Sequence, residues 1–206
     1  MLTAEQVADY FLRLVDEDSG DGISNLKLQK LVYYAQAWHL AVTGEPLFLD
    51  DLEAWKHGPV VRSLYIKYKH FGWEPIRIPS LTPVVLNAKP WEFMVIPRPR
   101  TPVPDIDAGT RSILNEVWQT YGQFSAKRLE ELTHTENPWI DARRGCGPGD
   151  ASRSIISIDV MRNYYSQMGT VSLALQEAHV FDALADDAIE EYRAGNTISL
   201  RALALK

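Results

Sequence analysis

Cysteine is almost absent: Cys146 is the single one among 206 residues. No intramolecular disulfide can form, and no paired-cysteine metal or redox motif is available. A reducing compartment suits such a chain. Long apolar runs are missing as well, since no window approaches the roughly 18 to 20 uninterrupted apolar residues of a membrane span. The first residues, MLTAEQVADYFLRLVDED, lack a basic n-region, an apolar stretch and a small-residue cleavage site, which points to a cytoplasmic protein. There is no excess of positive charge either. The 21 Lys+Arg against 27 Asp+Glu give a formal charge of −6, which argues against unselective nucleic-acid binding as the main activity.

What is present reads as a mainly helical protein. Thr3 and Gln6 form a capping box, and Val7, Tyr10, Phe11, Leu14 and Val15 recur at helical spacing, predicting a first helix from Ala4 to Asp16. The acidic DEDSGDG stretch that ends it does not fit a calcium loop. Counted from Asp16, the turn position holds Asp21 instead of glycine, and the closing position holds Lys27 instead of glutamate. Ser24 then caps a helix to about Ala41, with Ile23 and Leu28 as a hydrophobic staple and Thr43-Gly44 as the stop. That helix is apolar on nearly all sides and belongs in the middle of a fold. His39 falls within its main stripe, so a hydrogen-bonded core histidine is preferred over a ligand or base.

Leu52 to Lys56 leads to Gly58-Pro59, read as the first turn of a helix that carries Val60, Val61, Leu64, Tyr65 and Tyr68 inward and ends at Gly72. No acidic residue occurs from Ala54 to Trp73, while Lys56, His57, Arg62, Lys67, Lys69 and His70 gather there. A solvated basic face is the ordinary reading, and a surface for an acidic partner or phosphate is the functional one. Eight of the 12 prolines lie between Pro75 and Pro104, which predicts an extended segment with short strands at Val84 to Leu86 and Trp91 to Ile96. Helical pattern returns with Ile113, Leu114, Val117, Trp118 and Tyr121, restarts after the cap candidate Ser125, and pauses before Asn137-Pro138. Gly145 to Asp150 reads as a flexible connection, because no strand precedes it and no Lys-Ser/Thr pair follows. Ser157 opens a helix through Met161, Tyr164, Tyr165 and Met168.

The expected architecture is a compact bundle of short helices with a small β element, occupying residues 1–168, followed by an amphipathic helix and tail over 170–206. In that last segment Phe181, Leu184, Ala185, Ala188, Ile189 and Tyr192 make a stripe that either packs at home or inserts into a partner's groove.

Catalytic chemistry finds little support in the spacing: there is no nucleophile elbow and no HExxH. The best constellation is Glu53, Lys56 and His57 beside Gly58-Pro59, where a carboxylate and an imidazole could meet; satisfying backbone groups at a tight junction is the preferred reading of the pair. No catalytic residue, cofactor or metal ligand is assigned.

Two blocks, ISNLKLQKLVYYAQAWHLAVTGEPLF from Ile23 to Phe48 and EAWKHGPVVRSLYIKYKHFG from Glu53 to Gly72, resemble the Panacea domain of SocA-like antitoxins and phage-associated GepA-type proteins. Tyr121 to Trp139 and Asp141 to Gly145 match its pattern too, so the resemblance covers about Leu2 to Met168. The segment from Pro75 to Pro104 is longer than the family leads one to expect. Within the blocks, Leu28, Gln29, Lys30, Tyr33, Trp38, Glu53, Trp55, His57, Gly58, Pro59 and Tyr65 are read as structural. The resemblance implies a mainly helical, non-enzymatic domain that neutralises a co-encoded toxin by direct contact. In one branch of the family the domain also delivers its toxin to the ClpXP protease.

A second resemblance lies in Phe181 to Ala204, which is similar to the toxin-wrapping tails of antitoxins that oppose RelE/ParE-type toxins. It implies that Phe181, Leu184, Ile189 and Tyr192 enter an apolar groove while Asp182, Asp186, Asp187, Glu190 and Glu191 face a basic toxin surface. Arg62, Lys67 and Lys69 are the candidate contacts for a protease or an operator. No helix-turn-helix is recognisable, and DNA binding stays open.

Overall fold

A computed structural model describes residues 1–15, 22–77, 81–85, 93–97, 106–147 and 149–168. The first helix, α1 (Ala4–Leu14), opens with the expected capping box: the Thr3 hydroxyl accepts from Gln6 N, and the Gln6 side chain accepts from Thr3 N. Val7 and Phe11, one turn apart, are wholly buried against the second helix. That helix, α2 (Asn25–Thr43), is capped by Ser24 and stopped by Gly44 in the left-handed region at φ 77°. Leu28, Leu31, Val32, Tyr33, Tyr34, Ala35, Ala37 and Leu40 are all buried along it, so it forms the axis of the core. Each large side chain among them contributes roughly 1.5–3 kcal/mol through the apolar surface it removes from water.

A tight hairpin follows, β1 (Leu52–Trp55) and β2 (Gly58–Val61), paired antiparallel from Leu52 opposite Val61 to Trp55 opposite Gly58. This corrects the expectation of a helix beginning at Gly58-Pro59. Proline at the first turn of a helix and proline in a short strand share the same φ, and tertiary partners decide between them. Here Pro59 lies opposite Ala54, whose own N–H donates outward to Ser154 O (2.8 Å). The Val61 N–H is claimed by the Gln29 side chain at 2.9 Å. Residues 154–156 thus extend β1 on its far edge, with Ile156 N donating to Leu52 O at 2.8 Å and Glu53 bridged to Ile155.

The third helix, α3 (Arg62–Tyr68), then runs into a 3-10 turn, Lys69–Phe71, and ends at Gly72. Leu64 and Tyr68 face inward, as expected, whereas Tyr65 is 37% exposed. In the proline-rich segment a second hairpin pairs β3 (Leu81–Val85) with β4 (Phe93–Pro97), overlapping the two expected strands. Next come α4 (Ala108–Tyr121), capped by Asp107, α5 (Ala126–His134), capped by Ser125, and α6 (Asn137–Ala142), with Pro138 in its first turn. A seventh helix, α7, covers residues 158–168 and buries Met161 and Tyr165.

The fold is therefore mainly α: α1, α3, α4, α5 and β2 pack around α2. The segment from Phe181 to Tyr192, with its acidic and apolar candidates, lies outside the described residues.

Candidate functional site

A polar cluster lies where the β1–β2 hairpin meets α2 and the α5–α6 pair. Gly58 has a φ of 92°, and a Cβ there would stand 2.7 Å from Lys30 Cε and from Thr133 Oγ1. Glycine is thus required twice, for the backbone and for the space. The room it leaves holds the Lys30 side chain, which is fully buried and donates from Nζ to Pro59 O at 3.1 Å. Burial pulls the Lys30 ammonium down to about 7, with the nearby Glu130 charge opposing that shift.

Glu130 sits almost buried on α5 and accepts from His57 Nδ1 (2.7 Å) and Lys127 Nζ (3.4 Å). Burial pushes its carboxyl up, but the His57 hydrogen bond and the Lys127 charge outweigh it and hold it below the ordinary range. His134 stacks on Trp139 with centroids 4.2 Å apart, and its buried Nε2 has no partner among the described residues. Burial keeps its pKa low, helped by the neighbouring Lys30 and Lys127 and opposed by Glu130.

The constellation of Glu53 with His57 is not assembled. Glu53 accepts from Trp55 Nε1 (2.6 Å) on its own strand, while His57, at the hairpin tip, reaches across to α5 instead. Strand alternation places Glu53 on the outer face, and the two-residue turn carries His57 away from it.

The remaining family-block residues act as a frame. Gln29 bridges, accepting from Val61 N and donating to Asn25 Oδ1 at 3.0 Å. Leu28 is wholly buried, and Trp38 Nε1 donates to the Tyr121 hydroxyl at 3.0 Å. Tyr33 joins Tyr34 and Tyr165 in donating to the Glu136 carboxylate, at 3.0, 3.0 and 2.7 Å. Burial raises Glu136 further than those three hydrogen bonds lower it. Burial likewise pushes the Tyr121 phenol up to about 12.

Sequence reasoning did not single out Glu130, Glu136 or Arg143. The Arg143 guanidinium donates to Ala54 O (3.1 Å), Gly147 O (3.3 Å) and Asp150 O (2.8 Å) and lies 5.0 Å from the Trp139 ring. It fixes the glycine-rich connection to the hairpin, and Trp139 Nε1 adds a bond to Trp55 O at 2.9 Å. A buried-charge signal in DARRG would have been the clue.

Of the cationic candidates, Lys67 pairs with Glu5 on α1. Arg62 and Lys69 are exposed and have no ion pair among the described residues. Tyr65 packs on Trp55 with centroids 4.8 Å apart. Among the described residues no group of three or more His, Cys, Asp or Glu side chains could hold a metal ion, and no helix is long and apolar enough to cross a membrane.

No solved structure matches the chain significantly. Antitoxin SocA of Caulobacter vibrioides (strain NA1000 / CB15N) is 32% identical over 126 residues, covering 61% of this chain and 62% of that protein. The chain thus aligns with under two thirds of the length of this curated relative. The family model described as antitoxin SocA-like, Panacea domain, matches residues 28–140, from α2 through the hairpin seam to α6. The chain belongs to the SocA-like antitoxin family and carries its Panacea domain.

Proposed function

We propose that this protein is the antitoxin of a type II pair, neutralising a co-encoded protein toxin by direct contact and without catalysis. The observation that carries the reading is the likeness to antitoxin SocA, which spans the helical core and hairpin rather than a short motif. The structure is compatible with a binding role: at the seam Glu130 is engaged by His57 and Lys127, and the buried Lys30 donates to Pro59 O. Residues 1–168 form the domain, and residues 170–206 supply a second toxin-binding element. There Phe181, Leu184, Ile189 and Tyr192 would anchor in an apolar groove, while Asp186, Asp187, Glu190 and Glu191 speed encounter with a basic surface on a toxin of the RelE/ParE kind. The site of action is the cytoplasm.

A second reading, an adaptor that passes the toxin to a ClpXP-type protease, is favoured by one observation: Arg62 and Lys69 stand exposed and unpaired among the described residues. Co-purification of the full chain with the product of the adjacent gene tests the first reading. Shortening of that product's half-life in cells, lost when the protease is removed, tests the second.

A further inference from the structure

The inner side of α3 is pinned at every turn. Leu64 and Tyr68 are buried in the core. Ser63 Oγ donates to Asp50 Oδ1 (3.4 Å), Asn25 Nδ2 to Tyr65 O (3.3 Å), the Tyr68 hydroxyl to Asp9 Oδ1 (3.4 Å), and Lys67 pairs with Glu5. The outer side has no such partners among the described residues. Arg62, Ile66 and Lys69 follow one another at i, i+4 and i+7, and Lys69 keeps helical dihedrals of φ −58° and ψ −24°, so the three share one face. Ile66 is 51% exposed, and Trp73, just past the Gly72 turn, is 89% exposed. Tyr65, packed on Trp55, borders the same face.

A solvated basic face would carry cations interleaved with acids or small polar groups. This one sets a branched apolar residue, Ile66, between two cations, and no acid occurs before Glu74. Exposed apolar groups between unpaired cations cost free energy in water and are suited to burial against a complementary surface. Arginine and tyrosine are also among the residue types that most often dominate binding energy.

We infer that the outer face of α3, made by Arg62, Ile66 and Lys69 with Tyr65 at its edge, docks an acidic segment of the partner protein through an apolar anchor on Ile66 and carboxylates on the two cations. Charge complementarity selects this occupant: a carboxylate-bearing peptide satisfies both cations and covers the isoleucine between them. Nucleic-acid affinity would instead need many phosphates neutralised, and this face offers two cations without an ion pair among the described residues. The inference rests on the antitoxin reading for the identity of the partner, and it assigns the helical domain a contact separate from the tail.

The test titrates the full chain with the purified product of the adjacent gene. The comparison is wild type against Arg62→Glu/Lys69→Glu and, separately, Ile66→Ser, with thermal melts as the fold control. A 20-nucleotide single-stranded RNA serves as a second probe. The expected result is at least a tenfold loss of affinity in each variant, unchanged melts, and recovery of the charge-reversed form when Glu→Lys changes are made in the partner's segment. Equal binding by wild type and variants overturns the docking face and leaves the antitoxin reading standing. Absence of binding by the wild type removes both. Tighter binding by the charge-reversed form would show that the chain's own acidic tail occupies the face, and preference for the RNA would show a nucleic-acid site; either overturns the assignment.

Discussion

His57 Nδ1 lies 2.7 Å from Glu130 Oε1, joining the tip of the β1–β2 hairpin to α5 across 73 residues of sequence. The two ends of this bond differ sharply. The His57 side chain is 64% exposed and that of Glu130 only 8%. Water competes for the histidine, so His57→Ala is expected to cost less than about 1 kcal/mol. Glu130→Ala also leaves the buried Lys30 without its opposing charge and is expected to cost about 3 kcal/mol or more. Urea denaturation of the two variants checks this, and equal losses would contradict it. If His57 were instead a catalytic base, His57→Ala would abolish function with stability and partner binding intact.

The carboxylate of Glu136 collects three tyrosine hydroxyls in the core between α2, α6 and α7. Truncation to alanine strands those donors and opens a cavity, and about 3–5 kcal/mol should be lost. The isosteric Glu136→Gln keeps one accepting oxygen, and neutral glutamine suits a site that already raises the carboxyl pKa, so it should cost much less. The order Ala far below Gln in thermal stability is the expected result; reversal of that order would mean that the negative charge itself holds the three phenols.

Lys30 gives a pH signature. Its folded pKa of about 7 lies below the ordinary lysine value of 10.5, so the unfolded chain binds more protons between those limits. Stability from this group therefore rises as pH climbs from about 7 toward 10.5 and is lost on going back down. Lys30→Met removes the charge while filling the same volume. Its stability at pH 7 should match or exceed wild type, and the difference should shrink by pH 9. Denaturation at both pH values measures this, and a gap independent of pH would contradict it.

Much of this fold is written locally. Thr3-Gln6, Ser24 and Ser125 announce their helices because a cap is a contact over three residues. His39 is held as its stripe position suggests, donating to Glu45 O at 2.8 Å. Gly58-Pro59 misled because a first-turn proline and a strand proline look alike along the chain, and the deciding partner, Gln29, lies 32 residues away from Val61. The same distance hid the seam. Nothing near Glu130, Glu136 or Arg143 in sequence says that a hairpin, three phenols and a glycine-rich loop will converge on them.

Arg143 makes this concrete. A lysine there carries charge but cannot fork to three carbonyls. Arg143→Lys should destabilise by about 1–3 kcal/mol and raise proteolytic nicking between residues 145 and 153, whereas Arg144→Lys, exposed and paired with Asp141, should do neither. Limited proteolysis of both variants decides it.

Growth rescue decides whether this protein neutralises a toxin by contact. The adjacent gene is induced in cells carrying the full chain, a version ending at Met168, or a Phe181→Asp/Tyr192→Asp double variant. Rescue and co-purification are expected with the full chain, and weakened rescue when the tail is cut or altered. Arrest that the full chain neither relieves nor accompanies with binding would contradict it.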